Sequence, residues 1–170
     1  ANYRRFRRRV YLNEIAAIAE ASSDQVRSVI KRFTDDDRSF LIARPNLKAA
    51  NPQIDISHES LIRQWDTLGD WINQESVSRD IYLRVVMAAT RRTVIGANLW
   101  SGYDLDEALT WRKVTPLNKA WAGRYDPNFD QAMDFLDESQ KAEEVEQREI
   151  ESSAKKAEER RKREVRRTRV

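Results

Sequence analysis

The chain has 170 residues, of which 40% are hydrophobic and 35% are charged, and its formal net charge is +3. This length suggests one large domain or two small ones, and the charged fraction is too high for one compact globule, so we expect part of the chain to be an extended, solvated element. The absence of cysteine excludes a disulfide framework and a thiolate metal site, and it fits a reducing, cytoplasmic setting.

The charges are distributed unevenly along the chain. Residues 4–9 read RRFRRR and residues 160–170 read RRKREVRRTRV, whereas the middle, from 55 to 137, is mixed or acidic. Basic ends can bind nucleic acid or an anionic membrane surface, although solvated segments that flank a domain are the commoner explanation. No signal peptide and no apolar run of the ~18–20 residues that a membrane span requires are visible. The chain starts without Met and ends in a basic run, so we expect it to be part of a longer protein.

The first elements predicted are two short helices. LNEIAAIAEA (12–21) has a helical apolar face and Asn13 as its expected N-cap, and SSDQVRSVIKRF (22–33) follows with Ser23 as its expected cap. The two-residue break between them is typical of a helix-turn-helix.

Two strands are predicted next. SFLIARP (39–45) and QIDISH (53–58) flank a polar loop, which indicates a hairpin. Strand alternation directs Ile54 and Ile56 to one face and Asp55 and Ser57 to the other. The order helix, helix, strand, loop, strand is that of a winged-helix domain over residues 9–60.

The pattern becomes helical again from Ser57. Leu61, Trp65, Leu68 and Ile72 form a stripe on one helix that begins at His58, and further helices are expected over 78–95, 104–114 and from Asp126 or Pro127 onward. These helices predict a connector domain over 58–136, which shares its first helix with the winged helix. Gly96 is expected to end the second of them as a left-handed cap.

The last segment, 137–170, predicts a charged helical stalk. It contains neither Pro nor Gly beyond Leu136 and offers acid-to-base pairs at i,i+4, such as Glu144 with Arg148 and Glu158 with Lys162. Val145, Ile150 and Val165 do not supply the seam of a coiled coil. The predicted fold is therefore mainly α with a small β-hairpin: a basic segment (1–8), a winged helix, a helical connector and a long charged helix.

His58 is the single histidine of the chain, within the stretch DISHESLIRQW (55–65). The residues HESL begin like a zinc-protease motif, but no second histidine follows, so zinc is excluded by this route. Ser57 and Ser60 flank the ring without a nucleophile elbow, and no phosphate-binding glycine loop is present, so we expect no catalytic site. Two interpretations stay open: His58 packs at the start of a helix, or it meets an anion there together with the free backbone amides.

Two stretches resemble the winged-helix region of bacterial STAND NTPases, relatives of the apoptotic and NACHT ATPases that often carry C-terminal β-propeller repeats. They are VYLNEIAAIAEASSDQVRSVIKRFTDDDRSFLI and IDISHESLIRQWDTLGDWINQE. The stretches IYLRVVMAATRR, LWSGYDLDEALTW and FLDESQKAEEVEQRE are similar to the same group, whereas AGRYDPNFD departs from it.

The resemblance implies a regulatory module in signal transduction, with a role in bacterial defence, rather than an enzyme. It implies that His58 senses the β-phosphate of ADP in the closed state, supported by Ser57, Glu59 and Arg63. ADP or ATP with Mg²⁺ would be held by a nucleotide-binding domain outside this chain, and no cofactor or metal by the chain itself. The implied partners are that domain, a C-terminal sensor domain and further copies on activation, with membrane contact through the basic C-terminus.

The alternative function is that of a DNA-binding winged-helix regulator. Its second helix would present Gln25, Arg27, Ser28, Lys31 and Arg32 to the major groove. The acidic run Asp35–Asp37 directly after this helix opposes the approach of phosphates, so no specific nucleic-acid partner is expected.

Overall fold

The computed structural model of the chain describes residues 8–34, 40–58 and 65–167. Within them lie three strands and six helices: β1 (Val10–Tyr11), α1 (Leu12–Ala19), α2 (Ser23–Thr34), β2 (Leu41–Arg44), β3 (Gln53–Ile56), α3 (Asp66–Ile95), α4 (Tyr103–Val114), α5 (Lys119–Ala122) and α6 (Phe129–Arg167). The chain divides into two compact units, Ala1–Asp80 with Leu117–Pro127, and Ile81–Pro116 with Asn128–Val170. The prediction of a mainly α chain with a small β part is confirmed.

The sheet of the first unit has three strands rather than the two that the sequence predicts. β3 lies in the middle and pairs antiparallel with both β1 and β2, so that Val10 and Ala43 lie on either side of Ile54. β1 has only two residues, VY, which is too short for an alternating pattern to reveal. Its pairing places the chain entering α1 directly beside the strand that leads to His58.

The two short helices are capped by residues other than those expected. α1 begins at Leu12, and the backbone N–H of Asn13 donates to Oδ1 of Asn51 at 2.9 Å, so a distant loop supplies the cap and the prediction of Asn13 as N-cap is wrong. At α2 the cap is Ser22 rather than Ser23. Its Oγ accepts from the N–H of Gln25 at 3.2 Å, and Oε1 of Gln25 accepts from the N–H of Ser22 at 2.8 Å, a reciprocal capping box.

The core of the first unit joins these helices to the sheet. Its buried members come from both helices and from the central strand, namely Leu12, Ala16, Val26, Ile30 and Ile54. The apolar face that the sequence predicts for α2 is therefore confirmed by the burial of Val26 and Ile30.

α3 is one helix of 30 residues, where the sequence predicts two. The predicted break lay in NQESV (73–77), a polar stretch without Pro or Gly that a helix tolerates because its residues are adequate helix formers. α3 begins at Asp66 rather than at His58. Trp65 precedes it and is 38% exposed, so the prediction that Trp65 belongs to a buried stripe on this helix is wrong. Leu61 lies outside the described residues.

α3 ends at Gly96, as predicted. Gly96 has a φ of +64°, a left-handed conformation that glycine adopts without a Cβ penalty. Its backbone N–H donates to the carbonyl of Arg92 at 3.0 Å. From the helical spacing of 78–95 we expect Ile81, Val85, Met87, Ala88 and Ile95 to face inward. Ile81 and Val85 are buried and Ala88 is half-buried, whereas Met87 and Ile95 are exposed, so the prediction is wrong for these two.

The second unit packs α4 against the first turns of α6 and the second half of α3. Tyr82 is fully buried between Trp111 and Phe129, with ring centroids 6.5 and 6.4 Å away. Leu105 and Leu136 are also fully buried. These side chains form a small aromatic and aliphatic core that anchors only the first part of α6.

α6 joins the predicted fourth helix and the predicted stalk into one helix of 39 residues, about 58 Å at 1.5 Å per residue. It starts at Phe129, slightly after the predicted start. Every side chain from Glu144 to Glu164 is exposed. The prediction that the last part of the chain is solvated and helical is therefore confirmed for these residues.

Candidate functional site

The site predicted from the sequence lies at the end of β3. The strand ends at Ile56, and the backbone N–H of Ser57 donates to the carbonyl of Phe40 at 2.9 Å. This bond fixes the chain immediately before His58, which is exposed and outside any helix or strand. Among the predicted supporting residues, Ser57 is half-buried, while Glu59 and Arg63 lie outside the described residues.

A buried carboxylate lies on β3, three residues before His58. Asp55 is 2% exposed, so the face of β3 opposite to Ile54 is buried at this position as well. Nε of Arg9 is 3.3 Å from Oδ2 of Asp55, and Arg9 directly precedes β1, the neighbouring strand. Because a buried charge is costly unless it is paired, this ion pair explains how an acid is tolerated in the middle strand. The sequence signal was the RRFRRR run, whose last arginine is Arg9.

The loop between β2 and β3 is held by one arginine of α2. The guanidinium of Arg27 donates from Nη1 to the carbonyl of Leu47, and from Nη2 to the carbonyls of Ala49 and Ala50, both at 2.8 Å. These three bonds occupy the planar fork that bidentate recognition of a base would require. Of the residues expected to face DNA in the alternative function, Arg27 and Gln25 are therefore engaged within the domain itself, whereas Ser28, Lys31 and Arg32 are exposed.

A second polar cluster in the first unit was not predicted at all. Oε1 of Glu75, on α3, accepts from Nε1 of Trp121 at 2.9 Å and from the hydroxyl of Tyr125 at 2.5 Å, and lies 3.2 Å from Nη2 of Arg124. Burial raises the pKa of Tyr125 to about 12, and its hydrogen bond to Glu75 adds to the rise. Trp121 is only 4% exposed, so its indole N–H depends on this carboxylate rather than on water.

Asn118 connects the same segment to α1. Its Nδ2 donates to the carbonyl of Ile18 at 2.9 Å, at the C-terminal end of α1, while its Oδ1 accepts from the N–H of Trp121 at 2.8 Å and so caps α5. One side chain thus satisfies orphan backbone groups of two helices about 100 residues apart in sequence. We call Leu117–Pro127 the strap, because these residues join α1 to Glu75 of α3 within the first unit.

An apolar cavity of about 190 Å³ also lies in the first unit. Its described lining has no titratable group and consists of Phe33, Phe40, Leu41, Ile56, Trp65, Leu68 and Trp71. Such a lining can accept apolar side chains but offers nothing to hold a phosphate.

The arrangement of possible metal ligands and the apolar character of the helices also bear on the function. In the part of the chain that the structure describes, no group of His, Asp and Glu side chains is arranged to hold a metal ion. None of the described helices has both the length and the apolar character required to cross a membrane.

Comparison with known proteins gives one match. The family model described as Novel STAND NTPase 1 matches residues 1–93, which is more than half of the chain and includes β1 to β3, His58 and most of α3. No curated protein and no solved structure matches the chain.

Proposed function

The chain belongs to the Novel STAND NTPase 1 family, and from this premise we propose that it is the regulatory arm of a switch ATPase, which holds the ADP-bound closed state and relays opening to a C-terminal sensor. In this proposal the chain hydrolyses nothing itself. ADP or ATP with Mg²⁺ is bound by a nucleotide-binding domain outside these residues, in the cytoplasm, where these nucleotides are available.

The observation that carries the proposal is the position of His58. It is exposed, yet the chain just before it is held in place. The N–H of Ser57 donates to the carbonyl of Phe40, and the buried Asp55 of β3 is paired with Arg9. An exposed imidazole on a rigid support can donate a hydrogen bond to a group presented by another domain. This supports a contact between His58 and a phosphate of ADP.

The arrangement of the first unit supports a winged helix used for protein contact. α1 and α2 are the helix-turn-helix, the three strands are the sheet, and the loop between β2 and β3 is the wing. Arg27 is engaged with the wing, and this favours a domain that docks on protein over one that reads DNA bases. The DNA-binding alternative gains no support from α2, where only its exposed Ser28, Lys31 and Arg32 remain for contacts with phosphate.

The mechanism is a shift of population between a closed and an open state. A ligand moves such an equilibrium only by its differential affinity for the two states. A hydrogen bond from His58 to ADP, made only in the closed state, contributes ~1.5–3 kcal/mol, which corresponds to roughly tenfold to a hundredfold in the ratio of closed to open.

Relay toward the C-terminal side requires a stiff element, and α3 is suited to this role. It is continuous over 30 residues, about 45 Å, and it carries Glu75, the acceptor to which the strap is bonded. We assign to α3 the transmission of movement from the domain that carries His58.

The proposal is tested in the intact protein with His58→Ala and His58→Gln. The alanine removes the donor, whereas glutamine keeps an N–H at similar reach, and Lys48→Ala on the exposed wing is the matched control. His58→Ala should release ADP roughly tenfold to a hundredfold faster and raise basal output, glutamine should restore part of the retention, and Lys48→Ala should resemble wild type. Identical ADP release by wild type and His58→Ala would refute the role of His58.

A further inference from the structure

The exposed part of α6 carries its charge in two blocks of opposite sign. Residues 144–151 contain four acidic side chains and one basic one, a formal charge of −3, and residues 155–164 contain six basic and three acidic side chains, a formal charge of +3. All of these side chains are exposed. The two blocks are contiguous on one helix, so the stalk is a rod with a negative half and a positive half.

Stability of the single helix does not account for this segregation. Helix support at i,i+4 needs mixed signs, and it is present locally, as in Arg148–Glu144 at 3.2 Å and Lys162–Glu158 at 2.6 Å. The helix dipole acts only within the first and last turns, whereas the acidic block lies in the middle of Phe129–Arg167. The centres of the blocks are also about 18 Å apart along the axis, beyond the Debye length of about 8 Å at physiological salt.

The two charge blocks of one helix are complementary to those of a second copy when the two helices run antiparallel. With a two-fold axis between Ser153 and Ala154, Glu146 of each copy comes opposite Arg161 of the other, and Ile150 comes opposite Ala157. Glu146, Ile150, Ser153, Ala157 and Arg161 are separated by four, three, four and four residues, so they share one face of the helix. A parallel pair would instead place block against like block.

We propose that this face of the stalk, residues 144–164, binds a second copy of the chain as an antiparallel, two-fold symmetric helix pair. The contact is isologous: each acidic block meets the partner's basic block, and the Ile150 side chain packs where Ala157 leaves room for it. Exposed ion pairs are individually weak and screened by salt. The pair is therefore a weak, salt-sensitive contact that responds to local concentration.

Charge exchange in the 170-residue chain tests the pairing by analytical ultracentrifugation. Wild type should self-associate at about 50 mM salt, with an apparent dissociation constant at least about tenfold higher at about 500 mM salt. Glu146→Arg and Arg161→Glu should each prevent self-association, while their equimolar mixture and the double variant should restore it. Arg32→Ala, which removes an exposed charge from α2 in the first unit, is the control for the effect of a substitution outside the stalk.

Cross-linking tests the direction, and the lack of native cysteine makes it specific. In a mixture of Ile150→Cys and Ala157→Cys chains, oxidation should join position 150 to position 157, because these two positions face each other at the centre of the proposed contact. Preferential joining of 150 to 150 would overturn the proposal, as would a chain that is monomeric at every concentration or an association that salt does not weaken. Monomeric chains that bind phosphatidylserine vesicles through the basic block would also overturn it, in favour of a membrane surface as the occupant.

Discussion

At the scale of single residues, Glu75 is an acceptor on which three side chains of the strap depend. Its carboxylate accepts from Trp121 and Tyr125 and pairs with Arg124. Removing one partner of a buried hydrogen bond costs more than the bond itself, because the remaining group loses its solvation without compensation. Trp121, with its nearly buried indole, is the group that would be left unpaired.

We therefore expect Glu75→Ala to lower the free energy of unfolding by about 1–3 kcal/mol. Denaturant unfolding followed by tryptophan fluorescence measures this loss. Asp70→Ala, which removes an exposed carboxylate from the same helix, is the matched control and should change stability by less than about 0.5 kcal/mol. Equal, small losses in the two variants would show that the cluster around Glu75 does not stabilise the strap.

Tyr125 gives the first unit a dependence on alkaline pH. Burial, followed by the hydrogen bond to Glu75, raises its pKa from 10.0 to about 12, so the folded state favours the neutral phenol. The resulting stabilisation is complete below pH 10 and is lost as the pH rises toward and through about 12. In a titration of tyrosinate absorbance, the difference between wild type and Tyr125→Phe should show a component near 12. A component near 10 would contradict the burial of this hydroxyl.

At the scale of elements, the loop between β2 and β3, which we propose to be the wing, is bonded to α2 through Arg27. Three carbonyls of the loop between β2 and β3 accept from this guanidinium, while the backbone amides of Lys48 and Ala49 are bonded to Asn46. Arg27 therefore holds the middle of this loop, residues 47–50, while Asn51 and Pro52 at its end accept from the backbone of α1.

Arg27→Ala should release the wing while the helices stay folded. We expect hydrogen exchange at Lys48 and Ala49 to become roughly tenfold to a hundredfold faster, in keeping with a loss of about 1–3 kcal/mol in local opening. Arg32→Ala, on an exposed residue of the same helix, provides the comparison and should leave exchange at these amides unchanged. Unchanged protection in Arg27→Ala would mean that the wing is held by other contacts.

Local sequence patterns predicted the elements better than their connections. The two short helices, the two longer strands, Gly96 as the end of α3 and the exposed stalk all follow from propensity and apolar spacing. Asn51 as the cap of α1, and Asn118 and Glu75 as partners of the strap, link positions that are far apart in sequence. Nothing in the local pattern distinguishes these three from ordinary polar surface residues, so only the folded chain reveals them.

The candidate site was predictable in part. His58 drew attention as a lone histidine after a strand, and the structure places it, exposed, two residues beyond the end of β3. The single helix expected from His58 through Trp65 is wrong, since Trp65 is not helical and α3 begins at Asp66, while residues 59–64 lie outside the described residues. The burial of Asp55 was not predicted, because it depends on the pairing of β3 on both sides and on the ion pair with Arg9, which alternation along one strand does not reveal.

At the scale of the whole molecule, the basic side chains are concentrated at the two ends, and the mixed or acidic middle brings the net charge down to +3. Nucleic-acid binding by such ends is electrostatic and falls steeply with salt, whereas base-specific binding needs side chains that are free to reach base edges. Arg27 and Gln25 are engaged within the first unit. We therefore expect no sequence-selective binding of DNA by the chain.

Any residual binding of DNA should disappear when the basic ends, residues 1–8 and 155–170, are removed. Fluorescence anisotropy with random and enriched duplexes, at several salt concentrations, measures both the affinity and its salt slope. Untrimmed chains should show weak binding without sequence preference that is lost at physiological salt. A tight, selective complex formed by the trimmed chain at physiological salt would favour the DNA-binding alternative.

The most direct test of the regulatory role compares the affinities of the intact protein for ADP and for ATP, in wild type and in His58→Ala. Only a contact that differs between the two nucleotide states can move a switch. We expect the preference for ADP over ATP to fall by roughly tenfold to a hundredfold in His58→Ala, through weaker binding of ADP with little change for ATP. An unchanged ratio, whether both affinities fall together or neither changes, would contradict the assignment of His58 as the sensor through which this chain holds the closed state.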